Sequence, residues 1–201
     1  MHTAAFFSSS VLASMAAAAL LGSIPFGLLI SILLKKNDPR LVGSKNIGAT
    51  NITRTSGWKL GLLTLICDIL KGFLPILYLI QQNISVNILI FFIFLGHLFP
   101  IWIRFRGGKG IAVIIGCLCA YNINLGLVFT FIWIITAMIT KYSSLSALVA
   151  SLATLIFIFF KNNDFFYIMS LIVVMIFFKH IPNIKRLLNG RESKIILKNK
   201  N

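Results

Sequence analysis

Gly107-Gly108-Lys109-Gly110 sets a lysine among residues that let a ligand approach the backbone, and an apolar run begins directly after it. Free N–H groups and the dipole at a helix N-terminus favour negative charge, so this segment suits an oxyanion such as phosphate. It is not a Walker A loop, which would need glycine at Ile103 and Ser or Thr at Gly110. A second cluster, Gly43-Ser44-Lys45-Asn46-Ile47-Gly48-Ala49-Thr50-Asn51-Ile52-Thr53-Arg54, supplies hydroxyls, amides and a guanidinium able to grip phosphate bidentately. A third runs from His180 and Asn183 through Arg186 to Glu192, and His97 precedes the lysine motif. Each cluster alone also fits a bland role: a turn-rich loop, glycines that let helices pack, or an interfacial histidine. Asp68 and Lys71, three residues apart inside an apolar run, would share one helix face. Each such charge costs roughly 2.5 to 3.5 kcal/mol at a bilayer centre, so the pair is either functional or an internal ion pair joining helices.

The elements that must position these residues are apolar. Of 201 residues, 58% are hydrophobic and 11% charged, less than half the charge of an ordinary soluble domain, at about 25%. Apolar runs lie at about 11–34, 60–80, 86–103, 110–140, 145–160 and 165–181. The fourth would make a helix of about 46 Å, too long for a hydrocarbon core of about 30 Å. Splitting it at Tyr121 to Asn124 gives two short spans, of about 12 and 16 residues, and seven in all. The predicted fold is therefore an all-α, polytopic membrane helix bundle of about seven spans forming one domain over 1–201. Its N-terminus lies outside and its C-terminus is cytoplasmic.

Charge supports that parity. With the N-terminus outside, 17 of the 19 Lys and Arg fall on one face and only Lys161 on the other, as cytoplasmic loops require. The net charge of +15 then reflects topology and contact with anionic lipid rather than nucleic acid. All three polar clusters share the basic face, where they can converge on one phosphate-handling cleft. Cys67, Cys117 and Cys119 sit in apolar runs without metal-ligand spacing, so neither a metal nor a disulfide frame is expected. The first apolar run reads as an uncleaved span, because no Lys or Arg precedes it.

The order of motifs is GSIPFG at 22–27, GSKNIGATNITR at 43–54, DILKG at 68–72, GHLFP at 96–100 with GGKG at 107–110, and HIPN at 180–183 with GRE at 190–192. This series resembles the bacterial acyl-phosphate:glycerol-3-phosphate acyltransferases. The resemblance implies transfer of a fatty acyl group from acyl phosphate to the 1-position of glycerol 3-phosphate. The products would be 1-acylglycerol 3-phosphate (lysophosphatidic acid) and phosphate, in the first acylation of phospholipid synthesis. It further implies a multi-pass protein of the bacterial inner membrane, working at the cytoplasmic face as a monomer without cofactor. A separate enzyme would supply the long-chain acyl phosphate.

By position, Ser44, Arg54 and Lys109 match the family's phosphate-binding residues, and His180 and Asn183 match those facing the glycerol and the reacting centre. Asn46, Thr50, Asn51, Gly107, Gly108 and Gly110 also fall on the phosphate motifs, with Ser23, Asp68, Lys71, His97 and Glu192 in support. Lys45 stands where the family usually has glycine; it either crowds a phosphate or supplies another cation. The glycerol proton passes to His180 or to the substrate's own phosphate, and the resemblance favours the second. A transporter of a small organic or phosphate anion is the rival function, although the paired repeats common in transporters are not visible.

Overall fold

A computed structural model describes residues 9–79, 85–161 and 163–195; Lys198 and Lys200, two of the 17 cations assigned to the basic face, lie outside them. The described residues form nine helices and no strands. The first apolar run breaks into α1 (Ser9–Gly22) and α2 (Phe26–Leu33), whose axes differ by 43°. Pro25 drives its neighbour out of helical geometry, and the Ser23 hydroxyl donates to the Leu20 carbonyl at 2.7 Å, ending the first helix.

After a polar loop come α3 (Ala49–Ser56) and α4 (Trp58–Leu79). Next are α5 (Val86–Leu98), a short 3-10 turn at Ile101–Ile103, and α6 (Ile111–Tyr121). Then follow α7 (Ile123–Thr140), α8 (Ser143–Phe160) and α9 (Phe165–Leu188). The fourth apolar run divides at Asn122, whose extended backbone stops α6 and whose side chain accepts the Asn124 N–H at 3.0 Å, capping α7. The resulting helices have 11 and 18 residues, against the expected 12 and 16.

Five helices are long and apolar enough to cross a bilayer, and the bent α1–α2 pair makes a sixth crossing if it acts as one span. At 11 residues, α6 falls short of a full crossing. The last helix corrects a second expectation. Instead of ending near residue 181 with the polar cluster behind it, α9 runs on through Pro182 to Leu188, carrying His180 and Asn183 on its buried side.

The helices pair α1 on α5, α4 on α6, α7 on α8, and α8 on α9. Between α4 and α6 the backbones nearly touch: a Cβ at Gly72 would overlap the Val113 carbonyl, and one at Gly116 the Ile69 carbonyl. Small residues are the usual way for helices to associate in lipid, where burial of apolar surface gives no net gain. The core where the helices meet includes Phe94, Leu118, Phe129, Phe165 and Ile176, all fully buried. Residues such as Leu74, Phe131, Met138 and Val174 point outward, as a lipid-facing surface requires.

Candidate active site

The loop before α3 is folded around one side chain. The Asn51 carboxamide, 1% exposed, lies with its nitrogen 2.9, 3.2 and 2.8 Å from the carbonyls of Pro39, Val42 and Asn46, and its oxygen accepts the Ser44 N–H at 2.8 Å. Its hydrogen-bonding capacity is thereby spent inside the loop, and its job is to shape residues 39–46 rather than to meet a ligand. Left-handed residues flank Ser44, with φ of +61° at Gly43 and +57° at Lys45.

The lysine loop is held from behind. Gly108 donates its N–H to the His97 carbonyl at 3.2 Å, and its α-carbon lies so close to the His97 ring that a Cβ there would overlap it. His97 is thus the buried floor under the glycines. Gly110, at φ +79°, turns the chain into α6.

These two loops and α9 enclose a cleft of about 210 Å³ whose walls include Ser44, Asn46, Gly107, Gly108, Lys109 and Asn183. Lys45, Lys179, Pro182 and Arg186 complete its lining. All three polar clusters therefore meet, across 142 residues of sequence from Ser44 to Arg186.

A network orders the cleft's polar groups. The Lys109 ammonium donates to Asn183 Oδ1 at 2.5 Å, and Asn183 Nδ2 donates to Glu192 Oε1 at 2.6 Å. The same carboxylate accepts from the Ser144 hydroxyl at 2.7 Å and pairs with Arg186 Nε at 2.7 Å. Burial would raise the Glu192 pKa, but the bonds from Asn183, Ser144 and Arg186 together hold it below the usual carboxylate value. Lys109 is pulled down to about 8, chiefly by burial; nearby Glu192 opposes that fall, and Arg186 and Arg54 add to it.

Arg54 does not line the open cleft. Its guanidinium donates to the Ser193 carbonyl at 2.8 Å, while its Nε is buried and unpaired. The segment after α9 thus lies over the site, fixed also by the Ile195 N–H donating to the Lys141 carbonyl at 2.7 Å. Thr50 faces Ser143 across the α7–α8 turn, their hydroxyls 3.1 Å apart.

His180 sits one helical turn before Asn183, 2% exposed and outside the cleft lining. Its Nδ1 is 2.8 Å from the Ile176 carbonyl. A carbonyl can only accept, so Nδ1 carries the proton and Nε2 is left as an acceptor.

The supporting residues act elsewhere. Lys71 pairs with Asp68 at 2.8 Å and donates to the Ile24 carbonyl at 2.6 Å, tying α4 to the hinge between α1 and α2. Ser23 accepts from the Trp102 indole at 2.8 Å at the same hinge. Sequence reasoning missed Ser144 and Lys179 as parts of the site, and counted Arg186 in the third cluster without giving it a role. For Arg186 a signal existed, a cation one turn beyond Asn183 on the same helix face.

A sequence profile described as glycerol-3-phosphate acyltransferase matches residues 12–190. Among curated proteins, a glycerol-3-phosphate acyltransferase of Bartonella quintana (strain Toulouse) is 47% identical over 189 residues, covering 90% of each chain. One from Pelagibacter ubique (strain HTCC1062) is 49% identical over 179 residues, 87% of this chain and 92% of its own. Among solved structures, PlsY (YgiH), an integral membrane glycerol 3-phosphate acyltransferase in its glycerol 3-phosphate form, superposes with a TM-score of 0.88 at 35% identity, covering 92% of this chain and 96% of that one. Its lysophosphatidic acid form gives a TM-score of 0.86 at 34% identity, covering 94% and 97%.

Proposed function

The chain belongs to the glycerol-3-phosphate acyltransferase family and is a multi-pass membrane acyltransferase; from that premise we propose that it moves a fatty acyl group from acyl phosphate to the 1-hydroxyl of glycerol 3-phosphate. The oxygen of that hydroxyl attacks the acyl carbonyl, the bond from carbonyl carbon to phosphate oxygen breaks, and lysophosphatidic acid and inorganic phosphate leave. The hydroxyl proton passes to an oxygen of the departing phosphate, and His180 and Asn183 position the hydroxyl.

The observation that carries this reading is the meeting of Ser44, Asn46, Lys109 and Asn183 in one cationic cleft. Two phosphate-bearing substrates need positive charge and fixed donors where negative charge develops; Lys109, Asn183 and the glycine backbone beside Lys109 supply them, with the Arg54 charge nearby. At about 210 Å³ the cleft is smaller than the roughly 300 Å³ at which sites for drug-sized ligands begin. A glycerol phosphate headgroup suits it, and the acyl chain stays against the lipid-facing helices.

In the proposed topology the chain crosses seven times, α6 being the short fourth crossing, with the cleft on the cytoplasmic face of a bacterial inner membrane. The 17 of 19 cations on that face support it. The deciding assay incubates the purified chain with glycerol 3-phosphate and either long-chain acyl phosphate or acyl-CoA. Lysophosphatidic acid from acyl phosphate, with matching phosphate release, is the expected result. Product from acyl-CoA alone would reassign the donor, and product from neither would overturn the activity.

A further inference from the structure

Four cations line the cleft, and three have partners within the protein. Lys109 donates to Asn183, Lys179 donates to the Leu98 carbonyl at 2.8 Å and lies 4.7 Å from the Phe99 ring centre, and Arg186 pairs with Glu192. The fourth is Lys45. Among the described residues its ammonium makes no hydrogen bond, ion pair or ring contact. Its backbone sits at φ +57°, a left-handed conformation that costs a lysine roughly 1 to 2 kcal/mol and glycine almost nothing. A residue that is locally unfavourable and unpaired has no structural reason to be lysine, yet its charge stands in the wall of a cleft built for anions.

We infer that Lys45 is a specificity-determining residue, a cation committed to the phosphate of an incoming substrate. The inference rests on the acyltransferase reading and adds to it a capture site at the rim, beside the half-buried Lys109. Because Lys45 is exposed, its effect is screened by salt and acts on substrate capture more than on the bond-making step.

The test compares wild type with Lys45→Gly, Lys45→Gln and Lys45→Arg in the full chain. Glycine removes both the charge and the backbone penalty, glutamine removes only the charge, and arginine keeps the charge. Calorimetric binding of glycerol 3-phosphate is measured alongside KM for each substrate with the other saturating. Lys45→Gly and Lys45→Gln are expected to weaken one phosphate-bearing substrate about three- to tenfold, with a flatter dependence on salt. Lys45→Arg stays near wild type, and only Lys45→Gly melts at a higher temperature.

The substrate whose KM moves identifies which phosphate Lys45 holds; a shift in calorimetric affinity assigns it to glycerol 3-phosphate. Unchanged affinity together with unchanged KM for both substrates overturns the inference even if wild type turns over normally. Wild-type protein that binds glycerol 3-phosphate through Lys45 but makes no product would overturn the activity and leave Lys45 in its role.

Discussion

The alkaline side of the pH profile should belong to Lys109. Its ammonium titrates at about 8, so roughly nine-tenths of the protein carries that charge at pH 7 and roughly one-tenth at pH 9. A phosphate that binds only the charged form loses its partner as pH rises, so kcat/KM for glycerol 3-phosphate should fall about tenfold over that interval. Its slope approaches one decade per pH unit above pH 8. Bound phosphate favours the proton, so kcat at saturation falls later and less, because kcat/KM reports the free enzyme.

Arg54, a neighbour of Lys109, stays protonated through this window, and Glu192 stays ionised. The substrate phosphate is already dianionic above its second pKa, about 6. Replacing the lysine should erase the slope: Lys109→Ala removes a charged hydrogen bond worth about 1.5 to 3 kcal/mol, a loss of roughly 10- to 150-fold in kcat/KM, and leaves a flat profile. The assay is transfer from acyl phosphate to labelled glycerol 3-phosphate in detergent between pH 6.5 and 9.5. A level wild-type profile, or a Lys109→Ala variant within twofold of wild type, would refute the placement of Lys109 against phosphate.

Other outcomes test the surrounding groups. Glu192→Gln should lower kcat/KM at least tenfold by releasing Arg186 and Asn183, measured in the same assay. Because the folded Glu192 pKa lies below its ordinary 4.5, its stabilisation is full above about 4.5 and lost as pH falls through the folded value; melts from pH 6 to 3.5 should show a steeper acid loss in wild type than in Glu192→Gln. His180→Ala should be severely impaired while His180→Gln retains measurable turnover, since an amide can still hydrogen-bond but cannot take up a proton; equal inactivity, with a wild-type acid limb that no substrate group shares, would make His180 the base. Asn51→Ala should destabilise the protein by about 1 to 3 kcal/mol and disable it together, read as a lower melting temperature with loss of glycerol 3-phosphate binding.

Much of the site was legible in charge: the polar segments within 35–59, 104–109 and the end of the last helix were expected on one face from their Lys and Arg, and they line one cleft. Directions of side chains were not legible. Asn51 and Asn183 have the same chemistry, yet one is consumed by loop carbonyls and the other faces Lys109. Tertiary packing decides that, not residue type. The reach of α9 was misjudged because proline normally discourages a helix from continuing, while packing of Val173, Ile176, His180 and Asn183 against the bundle carries it past Pro182. Glu192 was placed with the site by its motif, but its bond to Ser144, 48 positions away, depends on how α8 and α9 lie together.

That carboxylate also fixes a moment in the protein's life. Ser44 and Lys109 leave the ribosome early, but the residue that orients Asn183 and Arg186 comes 83 positions after Lys109, about 4 to 17 s later at roughly 5 to 20 residues per second. Until that residue is made, Asn183 and Arg186 lack the carboxylate that holds them, so the ordered cleft is a late event in the chain's synthesis.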